Sequence, residues 1–161
     1  MNLDRTPSTE IIEAMQLAST YPLLKGLSSE HLQMMKECAT IRIFRAGDLI
    51  LKQGDQADSF YLIMSGTVTL SHAGTKGNVP IQSLDAGDAL GWSWLFPPYA
   101  WHFNAMAIEP TRTLRFEAET LRNFCKTRPD FGYEIMSRIA LVVIDRLQKT
   151  RKKLFKLSSG F

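Results

Sequence analysis

The 161-residue chain is 45% apolar and 22% charged, the make-up of an ordinary globular protein, so disorder is excluded and one domain with an appended helix is the expected size. Net charge is +3, but six basic residues and no acidic one lie between Arg146 and Lys156, leaving thirteen basic against sixteen acidic residues elsewhere. A slightly acidic body excludes a whole-surface nucleic-acid binder and confines any such contact to the C-terminal tail.

Cys38 and Cys125 match no metal or redox spacing, so both read as plain thiols of a reducing compartment. The start lacks an apolar signal region, and no uninterrupted run of ~18 apolar residues is present to span a bilayer. A cytoplasmic location without membrane contact is expected.

Thr6 and Pro7 predict a helix start, hydroxyl cap first and proline at the first helical position. Ile11, Met15 and Ala18 share a face, and Tyr21-Pro22 stops the helix. After the apolar connector Leu23, Leu24, Leu27, Ser28 caps a second helix with Leu32, Met35 and Met34 turned inward. From Thr40 the apolar period changes to two. Ile41 and Ile43, then Leu49 and Leu51, predict a hairpin across Ala46-Gly47-Asp48. Gly54-Asp55 and Ser65-Gly66 bracket a strand carrying Phe60, Leu62 and Met64, and Val68 and Leu70 begin the next. Short strands divided by glycine turns mark a sandwich or barrel. Further strands are expected at 79–84, 103–108 and 111–116, with a bend at Glu109-Pro110, and a helix over 118–125 that turns Leu121, Phe124 and Cys125 inward.

The last helix starts near Pro129-Asp130 and runs at least to Leu157. Ile135, Ile139 and Val142 form one stripe, suited to packing on the β-body. Met136, Ala140, Val143, Leu147, Thr150, Leu154 and Leu157 form a second at coiled-coil spacing. That seam predicts a parallel homodimer; a helix folded back on its own domain is the alternative. The basic end of the helix complements the dipole, so DNA binding is not expected.

Between Leu84 and Ala107 lies the densest aromatic stretch: Trp92, Trp94, Phe96, Tyr99, Trp101 and Phe103, with every tryptophan of the chain. Soluble domains keep such surface in a core, a pocket or an interface. Core filling accounts for any single ring; the cluster reads as a pocket or contact surface. Gly91, ahead of it, is placed to leave backbone N–H groups free for a ligand.

Taken together, Tyr21 to Ser28, Phe44 to Asp48, Gln53 to Tyr61, Ser65-Gly66, Leu84 to Asp88 and Leu90-Gly91 resemble the cyclic-nucleotide-binding domain of catabolite-activator-type regulators, cyclic-nucleotide-dependent kinases and gated channels. The resemblance covers about Tyr21 to Leu157. It implies an antiparallel β-roll of jelly-roll topology with flanking helices, related to the cupins, and divides the chain into an N-terminal helix (1–20), the roll (21–128) and a dimer helix (129–161). It also implies a site where a Gly-Glu pair and a following Arg hold ribose and cyclic phosphate. Gly91 matches the glycine. Trp92 stands in place of the Glu, and Phe103, or His102 if the loop is one residue shorter, in place of the Arg. A phosphate against Phe103 without a guanidinium is costly to desolvate, so weak or no binding of cyclic AMP and cyclic GMP is expected.

The expected function is therefore a stand-alone, non-catalytic sensor or regulatory module, reporting to a partner protein and needing no cofactor. Its small-molecule ligand would be flat and apolar or weakly charged, held by Gly91, Trp92, Ser93, Trp94, Trp101, His102, Phe103 and Asn104. The alternatives are a ligand-free dimeric interaction module and, more remotely, a fragment or accessory subunit of a transcription regulator. Regulators of this type carry a helix-turn-helix after the dimer helix, and none is read before Phe161, so a one-chain DNA-binding switch is not expected. His31, His72 and His102 are isolated in sequence; neither a cupin metal sphere nor a catalytic triad is legible.

Overall fold

In this computed structural model, which describes residues 7–160, eight strands form two four-stranded antiparallel sheets faced by helices. Helix α1 (Pro7–Ala18) and α2 (Ser29–Glu37) precede β1 (Ala39–Phe44), β2 (Leu49–Leu51), β3 (Ser59–Ser65), β4 (Val68–Gly74), β5 (Gly77–Leu84) and β6 (Ala89–Leu90). A single 3₁₀ turn (Ser93–Leu95) leads to β7 (Asn104–Ala107) and β8 (Thr111–Glu117), and the chain closes with α3 (Ala118–Thr127) and α4 (Pro129–Ser159). The predicted cap at Thr6 lies outside the described residues. Ser28 caps α2 as expected, its hydroxyl accepting the His31 N–H at 3.1 Å.

One sheet runs β1-β8-β3-β6 and the other β2-β7-β4-β5. Apart from the β4–β5 hairpin, successive strands switch sheets, the jelly-roll arrangement that sandwiches one core between two inner faces. Strand β3 lies inside its sheet between β8 and β6 and is buried from Ser59 to Met64. The expected hairpin over Ile41 to Leu51 is not formed. β1 pairs with β8 and β2 with β7, in opposite sheets, so the Gly47 turn is a crossover. Its geometry is fixed by the Arg45 N–H donating to the Asp48 carboxylate at 2.7 Å and the Gly47 N–H to the Ala107 carbonyl at 2.7 Å. Ile43, read as half-buried, is 72% exposed at this crossover.

Helix α4 is fastened to the body at three levels. At its start, Asp130 accepts from His31 at 3.1 Å and from Arg128 at 3.0 Å, and Arg128 also pairs with Glu30 at 2.8 Å. The next residue, Phe131, is fully buried, edge-on to His31 and Phe124. Midway, the Arg138 guanidinium donates to the carbonyls of Leu23 at 3.0 Å and Lys25 at 2.6 Å. At the third level sits Arg146, described below.

Hydrogen bonds from Arg128 and then His31 hold the Asp130 carboxyl well below the usual carboxylate range. A depressed native pKa contributes stability above the unfolded value, near pH 4, that is lost as pH falls through the native one. Asp130→Asn is therefore expected to flatten the acid limb of the urea-midpoint profile below about pH 4. Parallel profiles for the two proteins would contradict this.

Candidate functional site

The aromatic stretch does not gather on one surface. After β6 the chain passes Gly91 at φ +88, where an added Cβ would stand 2.7 Å from the Trp101 ring. Close packing of Trp101, together with the left-handed backbone, is what requires glycine here. The 3₁₀ turn then separates the environments of its tryptophans, Trp92 half-buried and Trp94 fully buried. Trp94 is fully buried, 6.0 Å from Phe60 between ring centroids, and Ser93 is buried beside it. Trp101 is 4% exposed, and its backbone bonds to Gly54 and Asp55 on the facing loop at 2.9 Å. Arg122 of α3 covers this loop from outside, with its guanidinium 4.6 Å over the Tyr99 ring and an N–H to the Trp94 carbonyl at 2.8 Å.

Two of the expected contact residues, Trp92 and Phe103, do border a cavity. Their rings meet edge to face at 5.8 Å. Gly91, Ser93, Trp94 and Trp101 lie behind them in or against the core. His102 is exposed and away from the cavity, and Asn104 is engaged elsewhere, its carbonyl oxygen accepting the Gln53 N–H at 2.7 Å. The cavity is about 270 Å³; Leu70 and Ile81 line its sheet side, Val143 and Leu147 its α4 side. A larger groove of about 710 Å³ runs along the other flank of α4, past Leu23, Asp88, Glu134 and Asp145.

Arg146 borders both spaces. Its guanidinium lies 4.6 Å over the Trp92 ring, and Nη2 donates to the Ala89 carbonyl. The side chain is 7% exposed, and Nη1 is buried without a hydrogen-bond partner. Burial pushes the guanidinium down to about 10, against the opposing fields of Asp88 and Asp145, so it is charged at neutral pH. The niche therefore holds a cation after all, delivered by α4 rather than by the stretch around Phe103. Arg115, by contrast, lies on β8 and pairs with Asp58 at 4.0 Å.

Grouped with the basic end of the helix, Arg146 is not among the site residues expected from the sequence. A signal was available: Ile135, Ile139, Val142 and Arg146 continue one 4-3-4 stripe, so the arginine falls at the next body-facing position. On the adjoining stripe, Met136, Ala140, Leu147, Thr150, Leu154 and Leu157 are exposed and Val143 is half-buried.

Among the described residues no cluster of His, Cys, Asp or Glu stands ready to hold a metal, and no helix is long and apolar enough to cross a membrane. Burial pushes the Cys38 thiol up to about 12 and raises that of Cys125, so neither is a ready nucleophile.

Comparison with known proteins places this geometry. Over 154 residues the chain is 30% identical to Glutaminase 1 of Bradyrhizobium diazoefficiens, a match covering 94% of this chain and 24% of that protein. Over 115 residues it is 25% identical to the CRP-like cAMP-activated global transcriptional regulator of Mycobacterium tuberculosis, covering 71% of this chain and 50% of the regulator. The chain thus spans at most half the length of these relatives. Among solved structures, a cyclic nucleotide-binding domain from Methylobacillus flagellatus superposes with a TM-score of 0.77 at 18% identity, over 91% of this chain and 83% of that one, a likeness of fold. Residues 41–128 match the cyclic nucleotide-binding domain over β1 to α3, and the chain belongs to that family.

Proposed function

We propose that this chain is a non-catalytic regulatory module in which the state of the niche beside Trp92 is passed to α4, acting as a homodimer and not through tight capture of cyclic nucleotide. The observation that carries this reading is the position of Arg146. One side chain touches the cassette at Ala89 and Trp92 and is rooted in the helix. Val143 and Leu147, its neighbours on α4, belong both to the cavity wall and to the seam of the expected dimer. Anything that moves Trp92 or Arg146 shifts the helix, and a partner protein reads the shift.

The argument against cyclic nucleotides is one of space and of hydrogen bonding to the ribose, since Arg146 supplies the positive charge that the stretch around Phe103 lacks. Where the family pattern asks for a carboxylate to accept from the ribose, the Trp92 indole offers no acceptor. The remaining space of about 270 Å³ falls below the ~300–1,000 Å³ of pockets that enclose drug-sized ligands. A base, ribose and phosphate would have to displace Trp92 or Arg146. The same tightness favours a second reading, a ligand-free interaction module, in which the edge-to-face contact of Trp92 and Phe103 is simply packing.

Calorimetric titration with adenosine and guanosine 3′,5′-monophosphates tests the main reading. No saturable binding tighter than ~100 μM, about −5.5 kcal/mol, is expected for either. A dissociation constant in the low micromolar range would overturn it.

A further inference from the structure

In the cavity beside Trp92, a single charged group, Arg146, faces otherwise apolar or neutral walls, among them Leu70, Ile81 and Phe103. That cation is incompletely satisfied. Nη2 has the Ala89 carbonyl and the guanidinium face has the Trp92 ring, but Nη1 has nothing. The carboxylates whose fields reach it are committed elsewhere, Asp145 to Lys149 at 3.0 Å and Asp88 to the Asp85 N–H at 2.9 Å. A buried arginine whose carboxylates act only from a distance is costly, and an anion that reaches it offsets part of that cost.

The shape of the space narrows the anion further. A cavity of about 150 Å³ already encloses benzene, so one of about 270 Å³ takes a single ring with a short acid group. A planar fork of N–H donors matches a carboxylate, and a lining of aromatic and aliphatic side chains favours an aromatic guest.

We propose that this cavity binds a small aromatic monocarboxylate, its ring against Trp92, Phe103 and Ile81 and its carboxylate accepting from the guanidinium of Arg146. The proposal rests on the regulatory reading above and names the class of ligand that the niche answers to. Binding gives the Arg146 cation an anionic partner and fixes it, and with it the mid-section of α4.

The test titrates the full chain with phenylacetate and, separately, with its neutral analogue phenylacetamide, following tryptophan fluorescence and heat. Saturable binding of the acid, at least tenfold tighter than the amide, is expected. In Arg146→Gln the preference for the acid disappears, and in Arg146→Lys, which keeps the charge without the fork, it is reduced. Because Arg146 also anchors α4, the acid-against-amide comparison on the unaltered protein stands without either variant. Equal affinity for the two compounds, or saturable binding by neither, overturns the proposal. Either result leaves the regulatory reading in place, since that reading falls to tight cyclic nucleotide capture instead.

Discussion

Trp94→Ala is expected to cost about 3–5 kcal/mol of unfolding free energy, the range for emptying a large aromatic site in a packed core. Trp94 is fully buried, its ring lies 6.0 Å from Phe60, and Phe60 stacks in turn on Phe116 at 5.6 Å. The substitution thus opens a void in the core of the roll, where the surrounding strands are held by paired neighbours and relax only in part. Trp94→Phe tests the same site more gently. The indole Nε1 is buried without a partner, so removing it relieves an unsatisfied donor while vacating only part of the volume. Its loss should be smaller than that of the alanine variant, and the fluorescence response to any niche ligand should survive it. Urea unfolding reads both variants. A loss below about 1 kcal/mol for the alanine change, far under the core-aromatic range, would return Trp94 to the list of ligand contacts.

The contrast between Trp94 and Trp92 marks where sequence reading stops. Local signals identified the elements well. The Ser28 cap, the alternation from Thr40 and the glycine turns each report on a few adjacent residues. Pairing is different, because strand period says that a residue is half-buried without saying against what. Ile41 to Leu51 alternate as two strands should, yet the jelly-roll connection sends β1 and β2 to opposite sheets.

In the site the limit has another cause. A 3₁₀ turn rotates successive side chains by about 120°, and here Trp92 borders the cavity while Trp94 enters the core. Composition cannot separate two tryptophans two positions apart. Nor does any local pattern bring Arg146 to Trp92, since they meet only once the whole roll is closed and α4 is docked on it. The family resemblance pointed to the stretch from Gly91 to Asn104; it did not indicate that α4 would bring a guanidinium against Trp92.

Beyond Arg146, every residue from Leu147 to Gly160 is exposed, including Leu147 at 47%, Leu154 at 60% and Leu157 at 70%. Apolar side chains at 4-3 spacing, left about half or more exposed by their own chain, are the material of a two-stranded seam. Wild-type protein at micromolar concentration is expected to sediment as a dimer, and Leu154→Glu with Leu157→Glu as a monomer. Each leucine contributes ~1.5–3 kcal/mol when fully buried. Two positions occur twice in a symmetric dimer, so the loss is at least ~6 kcal/mol, more than four decades in dissociation constant. Glutamate is a good helix former, and neither leucine borders the cavity beside Trp92, so the body of the variant should melt like the wild type. Added salt should tighten the wild-type dimer, because Arg151, Lys152, Lys153 and Lys156 repeat on both helices and repel until screened. The competing arrangement, a tail folded back on β5, has a foothold in the Lys153 ammonium 3.4 Å from the Ile81 carbonyl and in Leu154 and Leu157 beside Pro80 and Ile81. It makes the opposite prediction: a monomer from the outset, in which the two glutamates lower the melting temperature of the body and leave the mass unchanged.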